Sequence, residues 1–448
     1  MKKYDNYKDS NQDFLGKIPS HWFSTTLKRI AEVKDGTHDT PSYVEEEGIP
    51  FITTKDLSNG NISFENCKYI SYDDYLSINK RSNVENGDII MPMIGSIGSP
   101  IIVKTEKPFS IKNLALIKKN RECDLRYICY YLNSEATLYQ FGLCTSGGVQ
   151  NFISLGVLRN LGIPKIDKEE QTAIANYLDH KTTQIDTLIA KKEQFISLLQ
   201  EERTAVINQA VTKGLDPKVK MKDSGIEWLG EIPEHWEVKK LKYLLKENKD
   251  SLKTGPFGSH IKNSDYIPNG NYKVYTQRNV LDNEYENGCE SISEEKFDEL
   301  KGFTIYEGDV LITTRGSIGR CSVFPENMPT GILHPCLIRI QINENLSLRN
   351  WIVNYINNTS LFYNNVKFNS NSTIIDVIYG YTLKEIFFPT PSIIEQKKIL
   401  EFLEVKINEI DTLISKSQQE IELLKEYKTA LISEVVTGKV DVRDVILN

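Results

Sequence analysis

The sequence predicts a mixed α/β protein: two similar α/β domains separated by a long antiparallel two-helix coiled coil, in a pseudo-two-fold internal repeat. Three observations point there. The 448-residue chain repeats itself over most of its length, each copy mixes short β-like runs with helical pieces, and each ends on a sustained heptad stripe. The implied boundaries are 1–167 and 215–392 for the two heads, 168–214 for the first spacer helix, and 393–448 for the second helix and its tail.

The repeat comes first because it fixes the domain count. Lys8-Asp9-Ser10 through Leu15-Gly16-Lys17-Ile18-Pro19-Ser20-His21-Trp22 returns as Lys222-Asp223-Ser224 through Leu229-Gly230-Glu231-Ile232-Pro233-Glu234-His235-Trp236. Gly87-Asp88 and Gly95-Ser96-Ile97-Gly98 return as Gly308-Asp309 and Gly316-Ser317-Ile318-Gly319. Glu170-Gln171, Ile185-Asp186-Thr187-Leu188-Ile189 and Val211-Thr212 return as Glu395-Gln396, Ile410-Asp411-Thr412-Leu413-Ile414 and Val436-Thr437. The stretches between, such as 35–80 against 249–300, agree poorly and differ in length. One frame therefore carries two different inserts. A repeat of this size implies two similar domains, not a solenoid.

Within each copy, Gly48–Thr54 and Tyr272–Thr276 are β-like runs between Gly, Asn and Pro turns. Asp88–Met91 and Asp309–Ile312 each follow a glycine and precede a Gly-rich turn, and helical pieces follow at Leu125–Leu138 and Leu348–Phe362. Strands mixed with helices make each head α/β or α+β.

The tail of each copy carries the heptad stripe. Its apolar members are Leu178, Ile185, Ile189, Ile196, Leu199 and Val206 in the first, and Leu403, Ile407, Ile410, Ile414, Ile421, Leu424, Leu431 and Val435 in the second. Polar residues interrupt both stripes at matching steps, Lys192 with Ser417 and Arg203 with Lys428. A 3.5-residue period keeps one seam facing a partner helix, and polar seam residues fix register at some cost in stability. At 1.5 Å per residue the stripe spans about 50 Å. An amphipathic helix packed only on its own head is the plain alternative. The step-for-step match of the two seams favours pairing with each other.

Several function classes are excluded or disfavoured. No apolar run reaches membrane-span length, and the polar N-terminus lacks a signal-peptide core, which points to the cytoplasm. Seven cysteines without a Cys-x-x-Cys pair argue against a disulfide framework or a structural zinc site. No Gly-x-x-x-x-Gly-Lys-Ser/Thr, Gly-x-Gly-x-x-Gly, His-Glu-x-x-His or Asp/Asn-Pro-Pro-Tyr/Phe sequence occurs. The net charge of −7 opposes strong binding to DNA by the chain alone, since phosphates are neutralised by lysine and arginine. Residues 1–160 are neutral, with 19 basic and 19 acidic side chains, and the 393–448 tail is acidic at 8 against 11. Partner proteins are therefore expected to add phosphate contacts.

A doubled unit of variable head and long tail helix resembles the specificity subunit of type I restriction-modification systems. The motifs behind the resemblance are Gly-x-Ile-Pro-x-His-Trp, the Gly-Ser-Ile-Gly turn, and Pro-x-x-x-x-x-Glu-Gln at Pro164–Gln171 and Pro389–Gln396, twice over across residues 8–440. The resemblance implies two target-recognition domains, each reading one half of a bipartite site in double-stranded DNA. It also implies two modification subunits that carry S-adenosylmethionine and methylate adenine. Restriction subunits that use ATP and Mg to translocate and cut complete the implied complex. Cofactors belong to those partners and none to this chain, which is expected to be non-catalytic.

Base reading needs paired donors and acceptors. In the first head the candidate DNA-binding residues are Thr37, His38, Thr53, Thr54, Lys55, Ser146, Gly148, Gln150 and Asn151. In the second they are Ser259, His260, Gln277, Arg278, Asn279, Arg315, Arg320, Asn371, Ser372 and Thr373. Arg278 and Arg315 lead, because arginine is the commonest specific base reader. For each pick the plain alternative is a solvated turn. His21 and His235 have no nucleophile or carboxylate pair at matching spacing and are expected to pack or cap. Tyr69, Tyr72 and Tyr75 are expected to line a core or protein interface. Two rival classes remain: a self-contained methyltransferase or nuclease, for which Glu404-Val405-Lys406 offers only a fragment of a motif, and a coiled-coil adaptor.

Overall fold

The computed structural model describes residues 2–44, 48–58, 60–95, 98–144, 152–370 and 377–446. They form two compact units, 1–193 with 417–448, and 194–416. The division cuts each long helix, Lys168–Lys213 and Ile393–Val436, near its middle.

In the first unit a four-stranded antiparallel sheet runs in the order Ile101–Ile102, Ile89–Pro92, Leu114–Ile117, Val33–Asp35. The second unit repeats that order with Cys321–Val323, Val310–Thr313, Leu337–Ile340 and Leu252–Thr254. These central strands are buried on both faces, which explains their unbroken apolar runs rather than an alternating pattern. A second sheet in each head places one parallel pair beside an antiparallel one. Ile49–Ile52 lies between Ser110–Ile111 (parallel) and Lys68–Ile70, and Tyr272–Tyr275 lies between Gly331–Leu333 (parallel) and Glu290–Ile292. Phe23–Thr26 pairs with Gly162–Lys165, and Glu237–Lys240 with Phe387–Thr390, tying the start of each copy to the strand that precedes its long helix.

The helical pieces differ from the sequence expectation. Each is broken in two, Leu125–Leu132 with Glu135–Cys144, and Arg349–Asn358 with Ser360–Ser370. At the breaks Thr137 Oγ1 and Ser134 Oγ donate to Tyr131 O, and Thr359 Oγ1 donates to Tyr355 O. Hydroxyls that bond nearby carbonyls compete with the helix ladder and let the chain turn.

Each unit contains an antiparallel helix pair. In the first, Asp186 meets Lys428 and Lys192 meets Glu420; in the second, Arg203 Nε donates to Asp411 Oδ1 at 3.2 Å. Partner numbers fall as those of the first helix rise, so the pairing is antiparallel. The seam is buried or half-buried throughout, from Leu178 at 0% and Leu403 at 1% exposure to Ile196 and Ile414 at intermediate values. Its polar steps divide by size. Lys192, Arg203 and Lys428 reach out to carboxylates on the facing helix, while Ser417 is small enough to stay buried.

Each lead-in tryptophan is a joint between two helix ends. Trp22 and Trp236 are fully buried. His21 Nε2 lies 2.9 Å from Glu170 at the start of the first long helix, while Trp22 packs on Gly438, just past the end of the second. In the other unit, His235 Nε2 lies 2.9 Å from Glu395 and Trp236 Nε1 donates to the same carboxylate at 3.0 Å. Here Gly214, past the end of the first helix, packs on Trp236. The two histidines thus clip helix starts, as expected of packing residues.

Candidate DNA interface

In both heads one short loop gathers the others. In the first, Lys112-Asn113 joins Ser110–Ile111 to Leu114–Ile117. Lys112 N donates to Ile52 O at 2.9 Å, Asn113 N to Thr37 O at 3.2 Å, and Gly36 N to Leu114 O at 2.9 Å. In the second, His334-Pro335-Cys336 takes that place: His334 N donates to Tyr275 O at 3.0 Å, Thr314 N to Cys336 O at 3.0 Å, and Gly255 N to Leu337 O at 2.9 Å. The backbones approach so closely that a Cβ on Gly36 would collide with Ile111 O, and one on Gly255 with His334 O. Loops from separate strands are therefore locked at one end of each sheet, where side chains are presented by rigid backbone.

Thr53 and Thr276 end corresponding strands and begin corresponding turns. Thr53 N donates to Asp56 Oδ2 at 2.7 Å and Thr276 N to Asn279 Oδ1 at 2.8 Å, so both turns open with a capping box. Two residues past the cap stand Lys55 and Arg278, both exposed, Arg278 at 85% of its side chain. Among the described residues it pairs with Asp282 at 3.2 Å on the same helix, a contact easily exchanged for another acceptor. A Cβ on Gly316 of the repeated turn would lie 3.5 Å from Gln277 Nε2, so the exposed Arg315 stands beside this helix.

Polar chemistry beneath the loops differs between heads. In the first, the buried carboxylate of Asp35 accepts from Arg81 Nη2 at 2.6 Å and lies 3.0 Å from His38 Nε2, whose Nδ1 is 2.9 Å from Asn113 Oδ1. Lys112 donates to Thr40. In the second, His334 Nδ1 accepts from Cys336 N at 3.2 Å, and burial holds the imidazole below its ordinary pKa, leaving a neutral ring with its proton on Nε2.

Residues 19–197 and 233–423 each match the type I restriction modification DNA specificity domain. The chain belongs to that family. Among related proteins, the putative type I restriction enzyme MjaX specificity subunit of Methanocaldococcus jannaschii is 26% identical over 98% of both chains. The EcoBI specificity subunit of Escherichia coli is 24% identical over 88% of this chain and 81% of that one. The fold is shared with a chain from a structural study of complex assembly and conformational transition in a type I R-M system. That match has a TM-score of 0.70 at 14% identity and covers 94% of this chain and 99% of the other. It is shared also with the HsdS subunit of Thermoanaerobacter tengcongensis, at TM-score 0.56 and 14% identity over 94% and 98%.

Membership of the specificity family gives the loop cluster its interest, and the sequence candidates fall on it unevenly. Thr37, His38, Lys55, Gln277, Arg278 and Arg315 lie on the gathered loops with exposed or half-exposed side chains, and Ser259 and His260 extend the Gly255 loop. Thr53 and Thr54 belong to the capped turn, where Thr53 Oγ1 is already bonded to Asp56. Asn279 turns inward: it is 3% exposed, accepts from Thr276, and donates to Glu284 O at 2.9 Å, which makes it a support. Arg320 Nη1 donates to Asn357 O at 3.2 Å across a cleft also lined by Ser317 and Asn350. Ser146, Gly148, Gln150, Asn151, Asn371, Ser372 and Thr373 lie outside the described residues. Sequence reasoning missed Lys112, Asn113, Arg81 and His334. The signals for them, a glycine facing a backbone carbonyl of the 110–113 or 334–336 segment and, for Arg81, an ion pair with the buried Asp35, exist only in three dimensions. Tyr69 is half-buried, as expected of a core-lining residue, but Tyr72 is 62% exposed and stands beside Tyr75 at 5.8 Å. Lys406 pairs with Glu409 on the long helix, an ordinary surface contact that gives Glu404-Val405-Lys406 no catalytic setting.

Proposed function

We propose that this chain is the DNA-recognition subunit of a type I restriction-modification complex, each head reading one half of an asymmetric bipartite site in duplex DNA. The observation that carries the proposal is the shared loop lattice presenting unlike side chains at matching places, Lys55 against Arg278 and Lys112-Asn113 against His334-Pro335. A common scaffold with different tips is what reading two different sequences requires, because direct readout depends on side-chain donors and acceptors at base edges.

The helix pair then fixes half-site spacing and docks two modification subunits. Leu188 and Leu423 in the first unit, and Leu198 and Leu413 in the second, are exposed leucines just off the seam, a surface suited to further helices. S-adenosylmethionine serves the modification subunits, and ATP and Mg the restriction subunits. The complex works in the cytoplasm; among the described residues no helix is long and apolar enough to cross a membrane.

Sequencing for N6-methyladenine in cells with and without this gene tests the reading. The expected result is a motif of two unlike half-sites with a fixed gap that disappears on deletion. Unchanged methylation, or methyl transfer by the purified chain without partners, overturns it.

A further inference from the structure

The two heads match closely where the chain passes under the loop cluster before the long helix. Ile153 N donates to Met93 O at 2.9 Å in the first, and Ile378 N to Thr314 O at 3.0 Å in the second. The next residue begins a short helix, Leu155–Arg159 or Gly380–Lys384. In the first head that residue is Ser154, whose hydroxyl caps the helix by accepting from Val157 N. In the second it is Tyr379, with no side-chain cap. Serine is a favoured N-cap and tyrosine is not, so the tyrosine is not there for the helix.

Tyr379 stacks on Tyr381 with ring centroids 5.5 Å apart and planes at 10°, yet the pair is left 52% and 71% exposed. The place of Tyr381 is taken in the first head by Gly156. Gly380 between the tyrosines lies so near the strand that leads to Phe257, itself 79% exposed, that a Cβ there would come within 2.8 Å of Leu252 Cδ2 and 3.3 Å of Thr254 Oγ1. On the other side Val377 forms a β-bridge with Arg315. The aromatic pair thus sits within the second head's loop cluster, flanked by exposed Arg315 and Lys384.

We propose that Tyr379 and Tyr381 are a stacking contact of the second head with duplex DNA, against a base or sugar at a step opened beside the Arg315 loop. Flat aromatic faces stack on bases with little sequence dependence, and apolar side chains that enter a base step kink it at the step where unstacking costs least. The flanking cations select a polyanion over an apolar protein surface. The first head, with Ser154 and Gly156 at these places, lacks the contact, so the two heads grip by different means. This inference rests on the DNA-recognition reading above.

The test uses the chain assembled with its modification subunits and a short labelled duplex cut from a mapped methylated site, with a scrambled duplex as control. Tyr379→Ser/Tyr381→Ala restores the capping serine and removes both rings. Affinity for the mapped duplex should fall on the order of tenfold, with an unchanged dependence on salt, because no phosphate contact is lost. Tyr379→Phe/Tyr381→Phe should bind as the natural chain does. Wild-type affinity in the Ser/Ala variant overturns the contact, and so does a shallower salt dependence. Failure of that variant to assemble with the modification subunits assigns the rings to a protein partner and overturns it equally. A wild-type complex that shows no preference for the mapped duplex overturns the recognition reading itself.

Discussion

Lys428 Nζ donates to both carboxylate oxygens of Asp186, each at 2.7 Å, joining residues 242 positions apart in the chain. The pair fixes antiparallel register where the apolar seam is interrupted. Lys428→Glu would set two carboxylates against each other and lower stability by about 1 kcal/mol at low salt, less at high salt. The exchange Asp186→Lys/Lys428→Glu should recover most of the loss. Thermal melts at two ionic strengths check this, and an exchange no better than the single change would contradict the register.

Arg278→Ala should weaken discrimination at one base of one half-site by about 1–3 kcal/mol and leave the other half-site untouched. Lys55→Ala should do the same for the first head. Binding to duplexes with single-base changes measures both, and uniform weakening across all sequences would make these residues phosphate contacts instead.

Gly255→Ala would push its Cβ against His334 O, a backbone atom that cannot swing aside. A cost of about 2–3 kcal/mol is expected, with loss of second half-site preference. Gly36→Ala should act in the same way on the first head. Melting curves and half-site competition together would show each defect confined to its own head.

Glu385 lies between Lys240 at 2.6 Å and Lys242 at 2.8 Å, and their hydrogen bonds hold its carboxyl down at about 2 from an ordinary 4.5. A depressed carboxyl pKa stabilises the fold above the unfolded value and loses that contribution as pH falls through the folded one. Part of the stability should therefore disappear between pH 4.5 and about 2. In the first head Asn160 accepts from Lys28 at the matching place. Glu385→Asn should flatten the acid limb of a plot of melting temperature against pH; an unchanged limb would exclude this carboxyl as its source.

Adding seven residues to one long helix alone should disturb half-site spacing or assembly, since each helix spans a junction at both ends. Methylation mapping of the insertion strain gives the spacing directly, and an unaltered gap would remove the ruler role.

Residue types and their recurrence determined the two-copy plan, the mixed α/β heads and the heptad seam, because burial periodicity is written locally: Leu178, Ile185 and Leu199 are apolar where a helix must face its partner. The β-like runs were visible for the same reason, with Thr53 and Thr276 marking their ends. What the tertiary structure alone decided is which distant segments meet. Lys112, Asn113 and His334 join the candidate site through backbone hydrogen bonds to segments tens of residues away, and Asn279 leaves it because its amide is used inside the fold. No local pattern encodes either fact. The same holds for the helix junctions: nothing in the neighbourhood of Gly438 announces Trp22, since only a chain that returns to its beginning brings the two into contact.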